Sequence, residues 1–137
     1  MPLSTAALCL ALNVYYEARG EPLTGQHAVA QVTMNRAGRD PDRICAEVFK
    51  PSQFSWANGI RVRYSSAKLV LPKRYLPKEG SKEWTQAKNI ANWTVAGFVP
   101  DFTKGATYFH TVDVRPSWRR GARLTYAIGR HKFYASA

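Results

Sequence analysis

Carboxylates are scarce in this chain: nine Asp and Glu stand against twenty Lys and Arg in 137 residues, a formal net charge of +11. Such a field draws polyanions: nucleic acid, an anionic membrane surface or an anionic bacterial cell wall. Basicity alone does not choose among them, and a solubility charge without a specific partner is the plain alternative. Long apolar runs are missing too. The longest, Ala6 to Leu12, is too short to cross a bilayer. It lacks the basic flank and cleavage site of a secretory signal, so export by another route, or removal of a leader, is expected. Only two cysteines occur, Cys9 and Cys45, with no CxxC. A structural zinc site is thereby excluded; two buried thiols and one bridge both stay open. The three histidines, His27, His110 and His131, form neither HxxxH nor HExxH. No Gly-rich phosphate loop and no GxSxG elbow are present, so neither nucleotide chemistry nor a serine nucleophile is indicated.

What is there suits one compact domain with one core, spanning residues 1–137. Apolar residues make up 45% and aromatics 12%, which argues against disorder. Ser4 or Thr5 caps a first helix running to about Arg19. Leu8, Leu12, Tyr15 and Tyr16 follow helical spacing, and Leu10 and Val14 add apolar groups on other sides, so this helix belongs in the middle of the fold. Gly20-Glu21-Pro22 is a turn. Thr24 caps a second helix over 25–37, with Arg36 pointing outward, and a short helical turn follows over 42–49. Gln53 to Trp56 is expected to be extended. Residues 60–80 read as a basic surface loop with a helical turn near 65–70. Ser81 caps a third long helix over 83–97. Gly105 to Thr111 reads as a strand, and 123–128 with 131–134 form a hairpin around Gly129-Arg130. The class is α+β, mainly helical with a small antiparallel sheet in the C-terminal third.

Among the carboxylates, Glu17 alone sits between an apolar helix and a turn. Tyr15, Tyr16 and their apolar neighbours would desolvate it and raise its pKa, as a general acid near neutral pH requires. The plain alternative is a surface Glu paired with Arg19 or another arginine. Glycoside cleavage normally uses two carboxylates, and Glu21 and Asp113 are the candidates for the second. If neither faces Glu17, a one-carboxylate mechanism follows, with the substrate supplying its own nucleophile. Aromatic and polar side chains mix in Gln53-Phe54-Ser55-Trp56, in Tyr108-Phe109-His110 and in Pro116-Ser117-Trp118. Sugars and nucleobases both stack on such faces, although about half of these rings are expected in the core.

Several segments together resemble the SleB/CwlJ-type cell wall hydrolases of spores, bacteria and bacteriophages. They are Ala11-Leu-Asn-Val-Tyr-Tyr-Glu17-Ala-Arg19-Gly20-Glu21-Pro22, the stretch from Gly25 to Arg36, Ile44 to Phe49, Gln53 to Trp56, Gly105 to His110, and Ile128 to Tyr134. The resemblance implies a lysozyme/lytic-transglycosylase-like fold and cleavage of the peptidoglycan glycan strand. Its single acid maps to Glu17, with a 1,6-anhydro product, no cofactor and no metal. It also implies substrate contacts from Gln53, Ser55, Trp56, Tyr108, His110 and Tyr15, with Arg19 and Arg36 as buttresses and Asn35 bridging the first two helices. A bridge between Cys9 and Cys45 is implied as well. The expected partners are peptidoglycan and an anionic envelope, with no nucleic acid, and a monomer is expected. A small, basic single domain of this kind resembles a phage endolysin that a holin releases to the wall, with an excised catalytic domain as the alternative. Hydrolysis by water, a metal-dependent amidase on the histidines and a non-catalytic binder of wall or nucleic acid are the competing readings.

Overall fold

The computed structural model describes residues 3–136. Its centre is helix α1, Thr5–Ala18, which packs against three further helices: α2 (Leu23–Arg36), α3 (Ile44–Val48) and α4 (Lys82–Val95). Ser4, not Thr5, is the cap, its hydroxyl accepting the Ala7 N–H at 3.1 Å. Every residue from Cys9 to Val14 is buried, as a helix apolar nearly all round must be when neighbours cover it on all sides. The polar member of that run, Asn13, is satisfied on both ends: it donates to Thr33 Oγ1 at 3.0 Å and accepts from Trp56 Nε1 at 2.8 Å. Asn13 therefore ties α1 to α2. Asn35, expected in that role, instead donates to Asp101 Oδ2 and to the Ala106 carbonyl, both at 2.9 Å. It lies at the far end of α2 and fastens that helix to the loop leading into the sheet. Burial works against the Asp101 carboxylate, but hydrogen bonds from Thr103, Asn35 and Gly105 outweigh it and hold its pKa low.

Helix α2 starts at Leu23, so Thr24 lies inside it and makes no cap. Pro22 takes the cap position with φ −52°, where its missing N–H costs little. The Gln26 side chain donates to the Glu21 carbonyl at 3.0 Å and secures the entry. Helix α4 is capped by Ser81, which accepts the Trp84 N–H at 3.3 Å, and it buries Trp84, Ala87, Ile90 and Ala91. A disulfide joins Cys9 of α1 to Cys45 of α3, across a Cα–Cα distance of 5.3 Å.

Residues 60–80 contain no helical turn near 65–70. Arg63–Tyr64 (β1) and Leu69–Val70 (β2) pair as a two-stranded antiparallel hairpin, and a 3-10 turn follows at Lys73–Tyr75. The chain is held there by Tyr16, whose hydroxyl donates to the Tyr75 carbonyl at 2.7 Å. The main sheet has the order β3-β5-β4, all antiparallel, with β3 Tyr108–Thr111, β4 Ala122–Ile128 and β5 His131–Ser136. β5 is central, and its Phe133 is fully buried with Ala18, Ala28, Val29, Val32 and Ala106. This apolar seam seats the sheet on α2 and the end of α1.

Candidate active site

Glu17 occupies the last turn of α1, between the helical core and the base of β5 and β3. Its carboxyl is half-buried, and burial pushes its pKa from 4.5 up to about 7. Among the described residues no cation pairs with it. Arg19 turns away: its guanidinium donates to the Tyr15 hydroxyl at 2.6 Å and lies over the Tyr15 and Tyr16 rings. Arg36 does not point outward. It pairs with Glu47 at 2.9 Å, donates to the Thr107 carbonyl at 3.3 Å, and sits 5.3 Å from the Phe54 ring and 5.7 Å from Tyr108. Both arginines thus brace aromatic walls and leave Glu17 without a counter-charge.

Glu17 opens into a groove of about 680 Å³. One wall is the loop 52–58. Phe54 is extended and buried against Phe109, with ring centroids 6.4 Å apart, and the chain then coils into a 3-10 turn over Ser55–Ala57. The Asn58 side chain accepts the Ser52 N–H at 3.2 Å and closes the loop. This coil, in place of the expected extended run, puts Gln53, Ser55 and Asn58 on the groove while Trp56 faces inward. The opposite wall is β3 with Val114, Trp118 and His131. His110 is held at both ring nitrogens, Nδ1 at 2.6 Å from the Thr111 carbonyl and Nε2 at 2.9 Å from the Tyr134 hydroxyl. The carbonyl can only accept, so Nδ1 donates to it, and the Tyr134 hydroxyl holds Nε2.

Of the residues expected at the site, Glu17, Gln53, Ser55, Tyr108 and His110 line this one groove; Trp56 and Tyr15 do not. Trp56 stacks on Tyr16 at 4.6 Å and donates to Asn13, and Tyr15 packs edge-on against Tyr16 and Trp84. Both rings serve the flank of α1. Nothing in its aromatic and polar segment distinguishes Trp118, yet it lines the groove and rests against Tyr108, Tyr134 and His110 at 5.2, 5.3 and 5.8 Å. Asn58, in a turn dipeptide, gave no signal.

Neither candidate second carboxylate lines the groove, and Glu17 is the sole carboxylate lining it among the described residues. Glu21 is pulled under the β4–β5 turn, where it accepts the Arg130 N–H at 2.8 Å and lies 3.4 Å from His131 Nδ1. Asp113 is exposed beyond the end of β3 and faces Arg130 at 3.3 Å. No three of His, Cys, Asp or Glu lie close enough to hold a metal ion among the described residues.

Two predictions arise here. Gly129 has φ +57°, and a Cβ there would stand 2.7 Å from Glu21 Oε1 and 3.0 Å from Pro22 Cδ. Gly129→Ala is expected to displace Glu21 and lower unfolding free energy by about 2 kcal/mol, read from urea denaturation; an unchanged midpoint would contradict the close approach. The second concerns the raised carboxyl. The folded state binds the Glu17 proton more tightly than the unfolded chain, so the associated stability is complete below pH 4.5 and lost as pH rises through about 7. Glu17→Gln, which mimics the neutral acid, should therefore match wild type near about pH 4 and exceed it by up to about 3 kcal/mol near about pH 8.5. Equal stability at the higher pH would mean that Glu17 is solvated.

With this geometry in place, comparison with known proteins defines the class. The family model described as Cell Wall Hydrolase matches residues 20–134, and the chain belongs to that family. Among solved structures it is similar to the catalytic domain of the Bacillus cereus SleB protein, with 28% identity and a TM-score of 0.64, covering 98% of this chain and 93% of that one. It is also similar to the catalytic domain of the germination-specific lytic transglycosylase SleB from Bacillus anthracis, with 26% identity and a TM-score of 0.67, covering 98% of this chain and 100% of that one. No curated protein matches it.

Proposed function

We propose that this chain cleaves the glycan strand of peptidoglycan between N-acetylmuramic acid and N-acetylglucosamine, as a lytic transglycosylase with Glu17 as both acid and base. The observation that carries this reading is the lone groove carboxyl, half-buried and with its pKa pushed up to about 7. An acid so tuned is still protonated in part near neutrality and can donate. Among the described residues the groove offers no second carboxylate, either as the usual nucleophile or as the usual base for water on the opposite face. The substrate's own 6-hydroxyl meets both needs. Glu17 gives its proton to the glycosidic oxygen, and the bond from C1 to that oxygen breaks. The 6-oxygen then bonds to C1, and the Glu17 carboxylate takes the 6-hydroxyl proton. The acid is regenerated, no water is consumed, and the strand ends in a 1,6-anhydro sugar. Gln53, Ser55 and Asn58 supply hydrogen-bonding groups for acetamido and hydroxyl substituents, and Tyr108 and Trp118 supply faces for sugar rings.

The family supports a wall substrate, and the likeness to the Bacillus anthracis lytic transglycosylase supports the anhydro outcome. The matched family span begins after Glu17, so the acid role rests on geometry and pKa. In this reading residues 1–137 act as one catalytic unit and as a monomer, and nucleic acid is not a substrate. The test is mass spectrometry of fragments released from purified peptidoglycan. Anhydro ends are expected; reducing ends would mean that water is the acceptor, and release of free stem peptides would mean amide cleavage.

A further inference from the structure

The chain flanking the groove on its two sides differs sharply in charge, while Arg36, which lines the groove itself, is paired with Glu47. From Pro51 to Ile60 the chain carries no ionisable side chain. The rim on the other side, residues 112–124, whose Val114 and Trp118 line the groove, carries four arginines just outside it, Arg115, Arg119, Arg120 and, at the start of β4, Arg123, and no lysine. All four are exposed, and none joins an ion pair among the described residues. The rim's one carboxylate, Asp113, is turned to Arg130. Trp118 holds this rim against the groove: it lines the groove itself and packs on Tyr108 and Tyr134, so the turn Ser117–Gly121 that bears Arg119 and Arg120 is seated on the β3 wall.

A strand of N-acetylated sugars is itself neutral. Its negative charge lies in the stem peptides carried on the lactyl ethers, whose free carboxylates recur along the polymer. Arginine engages carboxylates through two parallel N–H donors, which lysine does not. A charge serving solubility alone would have no reason to exclude lysine from one rim, nor to leave the facing wall neutral. We propose that residues 112–124 bind the stem-peptide carboxylates, with the glycan lying so that its lactyl ethers face this rim. The chain would then prefer peptide-bearing strands to bare ones. This rests on the reading of the groove as a glycan site.

The test compares two soluble substrates, both freed of attached phosphate polymers: strands with intact stem peptides, and the same strands stripped of them by an amidase. Wild type is expected to show a higher kcat/KM on the peptide-bearing strands. Arg119→Glu/Arg120→Glu should reduce that preference about tenfold, chiefly by losing rate on peptide-bearing strands. Lys78→Glu/Lys82→Glu makes the same charge change at exposed sites away from the groove and should keep the wild-type preference. Equal losses on both substrates, an unchanged preference, or the same drop from the lysine variant would each overturn the proposal. Binding of the two substrates by Glu17→Gln, with and without the arginine changes, reads the same preference without turnover. If wild type cleaves neither strand, the glycan-cleavage reading fails, and this binding ratio still decides the arginine rim.

Discussion

Glu17→Gln should abolish release of anhydro-ended fragments, lowering the rate about a thousandfold or more. The glutamine keeps the shape and hydrogen-bonding reach of the protonated acid but has no proton to give and no carboxylate to take one back. Both halves of the proposed reaction pass through this one group, so a single change removes both. No other carboxylate lines the groove to substitute for it among the described residues. A folding defect would not mimic the result, because the same variant is expected to be at least as stable as wild type. Turnover within about tenfold of wild type would sink the acid role. The pH dependence sharpens the test. With the acid near 7, activity should decline on the alkaline side as Glu17 loses the proton it must donate.

The second large effect is expected from the disulfide. Cys9 and Cys45 are 36 residues apart in sequence, and closing a loop of that length restricts the unfolded chain by about 4 kcal/mol in chain-entropy terms. Cys9→Ala/Cys45→Ala should lose most of this, seen as a lower denaturant midpoint, and wild type under reducing conditions should fall to the same value. A loss below about 1 kcal/mol would mean that packing alone holds α3 in place. The consequence reaches the site. α1 carries Glu17, and α3 leads directly into the loop 52–58. The bridge therefore fixes the acid's helix relative to one groove wall, and its removal should cost activity at temperatures where the fold itself still holds.

The three long helices and the C-terminal hairpin were legible because their signals are local. Apolar side chains recur at helical spacing in α1, α2 and α4, serines cap α1 and α4, and Gly129 marks the reversal between β4 and β5. The hairpin β1–β2 was not legible, since each strand spans only two residues and is defined by its partner across the turn. Helix α2 starts two residues earlier than Thr24 as a cap predicts, because Pro22 outranks the polar side chain of Thr24 as an entry. At the site, the mixture of aromatic and polar residues in Gln53-Phe54-Ser55-Trp56 does not say which ring faces sugar. Trp56 turned inward because a buried Asn13 needed its N–H.

The sequence by itself determined that one carboxylate ends a largely apolar helix, that no nucleophile or metal motif accompanies it, and that the chain is strongly basic. Those are properties of residue type and spacing along one element. Tertiary structure decided what surrounds that carboxylate. Arg19 is drawn off by Tyr15, Arg36 by Glu47 and Glu21 by the Arg130 amide, and each of these outcomes depends on hydrogen bonds. Two of these three contacts join separate elements, and their energies depend on distances that spacing along the chain does not specify. Glu17 is left desolvated and unpaired by that sum of contacts, which is what lifts its pKa into the range of an acid that works near neutrality.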